Sequence, residues 1–497
     1  MSSTSAKEKV KIDKSVDKTY QYLKERLDIG TNYDVVLRKY KIGNRYIHAY
    51  FVNGLADEEM MSRILRQISF VDKPLSNFGA FQQLLDESLI NMQVTVTDNM
   101  DEAVDELLTG LMVIFGDTWG KAFIIDVRAY PGRTPEEPDT ERVVRGSRDG
   151  FTESIVMNTG LVRRRIRDER LRMEMQQVGE RSKTDICIAY IKDIANPDLI
   201  QEIKDRLNEI EIDGIPMTDK AIGEFVVNQG YNPFPKVRFT ERPDVVAAHL
   251  YEGHAVIMVD TSPSVIILPT TYFNHIQHAE EFRHTPMVGM FIRLIRFVGI
   301  FVSLFLPPLW LLFAMQSELI PDFISFIGPS KDDYNIPIFL QFLFAELGID
   351  LMRLAAIHTS TPLAVAMGLI AAVLIGEIAI QVGFFLPEVI LYIAIASIGT
   401  FATPSYELSL ANKFFRYVIL FAVFFFKVSG FVVTCTVFMI YLTMMKSVRA
   451  PYMWPLIPFN LKAFLSVVLR FTSGMTKTRP SFVHPQNKTR QSRSKQG

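Results

Sequence analysis

The sequence predicts an α/β cytosolic half of two duplicated α/β subdomains, followed by an α-helical transmembrane domain of about four spans and a re-entrant or interfacial helix. Three observations predict it. Apolar residues make up 48% of the chain, with 37 phenylalanines, and the excess lies after residue 290. Before residue 285, one order of strands and helices occurs twice. From Thr361 to Ala411 only Glu377, Glu388 and Glu407 carry charge, a length sufficient for two bilayer passes at about 20 apolar residues each.

Composition removes several function classes. The net charge of −1 averages unlike parts and points to no partner. Cys187 and Cys435 match no metal or disulfide spacing. The opening MSSTSAKEKVKIDKSVDK lacks the apolar core of a secretory signal, so the first membrane segment is expected to do the targeting. No P-loop, GxGxxG after a strand, HExxH or GxSxG is present, and neither enzymatic activity nor a cofactor is expected.

After a flexible N-terminus (residues 1–30), the first subdomain covers 31–130. VVLRKY, a KIGN turn and RYIHAYFV predict a hairpin, and Met60, Ile64 and Leu65 place a helix at Asp57–Ile68. A second helix is expected at Met100–Leu108, then strands LMVIF and KAFIIDV. The pattern returns in the second subdomain, 183–285, where Ala49-Tyr50 falls on Ala189-Tyr190, and Asp101, Leu107, Gly110 and Ile114 fall on Asp244, Leu250, Gly253 and Ile257.

Between them, residues 131–182 read as a linker with a Pro/Glu-rich loop, Pro131–Pro138, and an arginine-dense stretch. Arg148, Asp149, Arg163, Arg164, Arg165 and Arg167 are candidates for a subunit-contacting surface, because guanidinium groups make bidentate contacts. The plainer alternative is a solvated charged face; interleaved acids and scarce aromatics argue against nucleic acid. His275, His278 and Glu281 fit an interfacial helix better than a metal triad.

The membrane domain, 286–445, opens with uncharged Phe297–Ser317. Arg283, Arg293 and Arg296 before it and Glu318, Asp322, Asp332 and Asp333 after it place its start in the cytoplasm. Pro307-Pro308 predict a kink. Ile336–Ile357 carries Glu346, Asp350 and Arg353 on one helix face, so it re-enters or lies in the interface, or else spans with that face toward water. Within Pro362–Leu386, Ala372, Gly376, Ala379 and Gly383 form a small-residue stripe beside Glu377 and Gln381, a polar line expected at the membrane centre. Pro387-Glu388 reads as the turn into the next span. The last span, Phe414–Met445, holds Lys427 deep inside, where it could pair with Glu377 or line an ion path. Glu377, Gln381, Lys427, Glu346, Asp350 and Arg353 are therefore the pore or gate candidates.

The tail, 446–497, is basic without one acid, which places it in the cytoplasm, with Asn460–Phe471 as an amphipathic helix on anionic lipid. Lys413 and Arg416 run against this topology, which puts their loop outside.

Several phrases carry a family resemblance: TERVVRGSRDGFTESIVMNTGLVRRRIRD, RPDVVAAHLYEGHAVIMVDTSPSVIILP, LIRFVGIFVSLFLPPLWL, and PLAVAMGLIAAVLIGEIAIQVG followed by GTFATPSYELSLAN. Over residues 30–470 the chain resembles the A-subunit family of bacterial spore germinant receptors, the GerA family. IDVRAYPGRTPEEPDTERVVRG and RRRIRDERLR are nearer to its stage V sporulation protein AF branch. The resemblance implies a multi-pass protein of the inner spore membrane with both termini cytoplasmic. It implies a homo-oligomeric channel, a pentamer being one form, that passes monovalent cations in germination beside other inner spore membrane germination proteins. A secondary transporter and a non-conducting scaffold or receptor A-subunit are the alternatives.

Overall fold

The computed structural model describes residues 10–42, 45–69, 78–79, 81–82, 93–129, 141, 143–320, 328–329, 335–357, 374–471 and 476–490. The Pro131–Pro138 loop, Arg142, Ala372 and Asp322, Asp332 and Asp333 lie outside the described residues, as does most of Pro362–Leu386.

The duplication is visible as two five-stranded antiparallel sheets of the same order. In the first, the order is β1 (Val35–Ile42), β2 (Arg45–Val52), β4 (Met112–Gly116), β5 (Ala122–Ile125), β3 (Val94–Thr97). In the second it is β6 (Leu171–Val178), β7 (Thr184–Ile191), β9 (Ala255–Val259), β10 (Val265–Leu268), β8 (Arg238–Thr240). The first copy carries α1 (Val16–Leu27), α2 (Glu58–Ser69) and α3 (Met100–Leu108). The second carries α4 (Ile155–Arg165), α5 (Pro197–Asn208), α6 (Thr218–Val227) and α7 (Pro243–Glu252). Asn99 and Asn196 cap α3 and α5 by accepting from the amides of Asp101 and Asp198, which marks where each helix begins. The fully buried central strands β4, β5, β9 and β10 explain why their sequences run apolar without alternation.

The linker expected at 131–182 is corrected. Its arginine-dense part is α4 and β6, because Ile155, Leu161, Val162, Ile166, Leu171 and Met173 lie between the arginines and are buried in the second subdomain's core. α4 also meets the first subdomain: a Cβ at Gly160 would collide with the Gly54 carbonyl, and Gly54 itself sits at φ +78°.

After α8 (Tyr272–Ile276), α9 (Pro286–Met315) continues as helix through Pro307-Pro308. Trp310 contacts Phe342 in α10 (Ile338–Ile357) and Tyr392 in α11 (Pro387–Phe401). Ser303 and Gly299, nearer the start of α9, meet Arg416 and Gly399. The α11 neighbour of α9 thus moves from Tyr392 to Gly399 as α9 is followed back toward its start, so α11 runs antiparallel to it. Pro387 is the first residue of α11, and the turn before it is 382–386, with Gly383 at φ +73°.

The helix α12 (Tyr406–Met444) is not one span. Lys427 has φ 52° and ψ −129°, and the chain reverses there. Phe415 and Phe438 ring centroids are 4.3 Å apart, although a straight helix would separate them by about 34 Å. The first arm is about 31 Å long and the returning arm about 25 Å, comparable with a bilayer core. Among the described residues, α9 and α12 have the length and composition to cross a membrane, so the four spans expected are not established.

Beyond α12, Asn460 caps α13 (Leu461–Val468), the expected amphipathic helix, with Leu461 and Leu465 exposed. Residues 476–490 then strap back over the second subdomain. Phe482 packs against Trp454 with ring centroids 4.7 Å apart, and the Gln486 side chain donates to the carbonyls of Lys192 and Ala195.

Candidate functional site

Charge placed among apolar helices is costly unless it is paired, so the buried ionic groups of the C-terminal helical half define the candidate site. α10 presents Glu346 and Asp350, one turn apart; the first arm of α12 presents Lys413, Arg416 and Tyr417. Lys413 Nζ lies 3.0 Å from Glu346 Oε2 and 2.5 Å from Asp350 Oδ1. Arg416 Nη2 donates to Glu346 Oε2 at 2.7 Å, and its Nη1 donates to the Ser303 carbonyl of α9 at 2.6 Å. The Tyr417 hydroxyl donates to Asp350 Oδ2 at 3.1 Å. Glu346 is 0% exposed and Arg416 1%, whereas Asp350 at 28% opens to the surface. Two acids and two bases make a neutral box that ties α9, α10 and α12 together. Glu346 Oε1 and Arg416 Nε find no hydrogen-bond partner among the described residues.

Of the six pore or gate candidates, Glu346 and Asp350 meet Lys413 and Arg416, which the expected topology puts in an outside loop. Lys413 and Arg416 belong inside the box. Arg353, three residues past Asp350, sits over the Phe401 ring at 4.8 Å. Glu377 and Gln381 are exposed and do not join the box. They lie on the short helical segments Leu374–Ile378 and Ala379–Gln381, four residues or fewer from the helix end, level with the start of α10 through the Leu386 amide and the Gln341 side chain. Lys427, expected deep inside a single span, instead marks the tip of the α12 reversal; it is exposed, and no ion pair joins it to Glu377 among the described residues.

A second ionic seam lies where the N-terminal half meets α9. Glu281, fully buried, accepts from Arg293 Nε at 2.7 Å and pairs with Arg296. Arg293 also donates to the Ser466 and Val467 carbonyls of α13, and Arg470 donates to the Phe282 carbonyl at 2.8 Å. Glu281 is thus an ion-pair partner, and His275 points Nε2 toward the Thr270 hydroxyl at 3.5 Å. Burial lowers His275 to about 3, and burial, with Arg296 nearby, lowers His278 to about 4.

The arginine-dense stretch is largely consumed within the chain. Arg163 pairs with Asp34 at 2.5 Å, both side chains 0% exposed, so Arg163 cannot contact another subunit; that candidate is corrected. Arg165 pairs with Asp149 at 2.5 Å. Burial raises the Asp149 carboxyl, but hydrogen bonds from Arg165 and Ser147 outweigh it and hold it below its usual range. Arg172 and Lys192 both reach Asp28 at 2.6 Å, and Arg26 bridges Asp101 and Glu169. These pairs join the first subdomain to the second. Arg148, Arg164 and Arg167 stay exposed.

Comparison with known proteins gives a consistent relationship. Residues 21–482 match the family described as Bacillus/Clostridium GerA spore germination protein. The chain is 53% identical over 484 residues to stage V sporulation protein AF of Bacillus subtilis (strain 168), covering 97% of this chain and 98% of that protein. It is 29% identical to spore germination protein KA of the same strain, covering 93% of this chain and 86% of that protein. Its N-terminal half is similar to the crystal structure of the N-terminal domain of the A subunit of the Bacillus megaterium spore germinant receptor GerK3. That match has a TM-score of 0.42 and 26% identity, over 52% of this chain and 97% of that domain.

Proposed function

Because the chain belongs to the GerA family of spore germination proteins, we propose that it is a subunit of a homo-oligomeric channel in the inner spore membrane that releases monovalent cations during germination. One observation carries the reading. Glu377 and Gln381 lie exposed on a helix surface beside Gly376, around which a Cβ would meet open space. In a membrane, an exposed carboxylate needs water or a partner chain. A ring of identical chains supplies both, with the small Gly376 admitting a close neighbour. The two arms of α12 and the antiparallel helices around α9 provide the passes, with both chain ends cytoplasmic. Exposed Arg148, Arg164 and Arg167 supply contacts between cytosolic halves, and other germination proteins of the same membrane are its partners.

A second reading, a membrane scaffold that conducts nothing, is favoured by the box itself: Glu346, Asp350, Lys413 and Arg416 neutralise each other within one chain and leave no charged path. Reconstitution into potassium-loaded liposomes decides between them. The channel reading predicts efflux without a co-substrate, reduced at least severalfold by Glu377→Gln; folded, inserted and silent protein supports the scaffold.

A further inference from the structure

We propose that α6 and the loop after it form a second membrane anchor, seated in the headgroup layer and distinct from the amphipathic helix α13. Three large apolar side chains stand exposed along this element: Met217 just before it, Phe225 in its last turn, and Tyr231 beyond its end, with exposures of 72%, 41% and full exposure respectively. Singly exposed apolar side chains are ordinary on a soluble surface; what sets these three apart is their position.

Both ends of α6 are fastened to the inner ends of the membrane helices. Near its start, Lys220 Nζ reaches Glu407 Oε1 at 2.6 Å, one residue into α12. Beyond its end, Asn232 accepts from the Tyr441 hydroxyl at 2.7 Å and donates to Met445 Sδ at 3.6 Å, in and just after the last turn of the returning arm. Two residues on, Phe234 is fully buried between the arms, against Phe415 at 5.4 Å and Phe438 at 5.8 Å. Tyr231 is thus one residue from the point where the chain grips the base of α12. Any bilayer that holds the α12 arms has its cytoplasmic interface at this level.

The chemistry suits that layer. Tyrosine pairs an apolar ring with a polar tip and is enriched at membrane interfaces. Lys236, whose Nζ donates to the Asn228 carbonyl at 2.9 Å, brings a cation to the same loop, suited to anionic headgroups. The occupant is the lipid surface; a second copy of the chain is the competitor that the test must separate.

This inference rests on the membrane reading above, and the test distinguishes the two. In a Cys435→Ala background, with Cys187 fully buried, single cysteines at Tyr231, Phe225, Val433 and Arg181 are labelled with bimane in vesicles of phosphatidylcholine and phosphatidylglycerol. Val433 is exposed on the returning arm and Arg181 on the β6–β7 turn. Quenching of 231 and 225 by brominated lipid, with 433 strongly quenched and 181 not, is the expected result. If 433 is quenched by lipid while 231 and 225 answer only to aqueous iodide, the anchor is wrong and the membrane reading stands. Shielding of 231 from both quenchers means a protein partner covers it, and also overturns the proposal. Lipid quenching at none of the four positions removes both readings.

Discussion

Asp34 and Arg163 show how a residue's neighbourhood can reverse its reading. Arginines are surface residues by default, so a run such as Arg163-Arg164-Arg165 reads as exposed. The partner that draws Arg163 inward lies 129 residues away, and nothing local announces it. Arg163 Nη1 and Nη2 also donate to the Asp168 and Leu171 carbonyls, so the buried guanidinium is well satisfied. Asp34→Ala should then cost about 3–5 kcal/mol, because it strands a buried cation. Asp34→Ala with Arg163→Met should recover most of it; denaturant midpoints of the purified protein in detergent measure both.

His254 gives a pH dependence at the same scale. It is fully buried, with Nδ1 against the His249 carbonyl, the His249 ring at 4.9 Å and Phe482 at 5.6 Å. Burial, with Arg238 adding to it, lowers its pKa to about 4. The ordinary value is about 6.5, so between these values the unfolded chain binds a proton that the folded chain refuses. Stability is complete above about pH 6.5 and falls as pH drops toward 4. Thermal midpoints across that range should decline, and His254→Asn should flatten the slope.

Among the elements, the strand and helix patterns of the N-terminal half were legible, because buried strands and capped helices carry local signals. The hairpin at 35–52, α3 at Met100–Leu108 and the repeat of strand order all stand where periodicity puts them. The reversal at Lys427 was not legible. It uses no proline, its close approach is made at Gly430, where a Cβ would collide with the Ala422 carbonyl, and the 39-residue helix reads as one long span. A thiol cross-linker of short reach should join Phe415→Cys to Phe438→Cys in one chain, with Cys435 removed; a straight helix gives no product. The ionic box was half legible. Glu346 and Asp350 at one turn's spacing matched Lys413 and Arg416 at one turn's spacing, two acids for two bases, but the assumed loop kept them apart. Arg416→Leu should destabilise the helix domain by about 3–5 kcal/mol, since Glu346 would remain buried without it. Adding Glu346→Leu should restore much of that stability, read as the melting midpoint in detergent.

At the scale of the molecule, each sheet copy has its own core, yet the ion pairs from Asp28, Asp34 and Glu169 lash the first to the second. The second copy in turn grips the C-terminal helices through Phe234, Lys220 and the Glu281 seam. The strap at 476–490 closes the circuit from α13 to the β7–α5 turn. A displacement of the N-terminal half therefore has a continuous, packed route to α9 and α12. The measurement that tests this most directly is potassium efflux from liposomes carrying the purified assembly, compared with the Glu377→Gln assembly at equal incorporation and equal oligomeric mass. The account predicts an oligomer that leaks potassium without a co-substrate and loses most of that flux on substitution. A monomeric or impermeable wild-type protein, or flux untouched by the substitution, would contradict it.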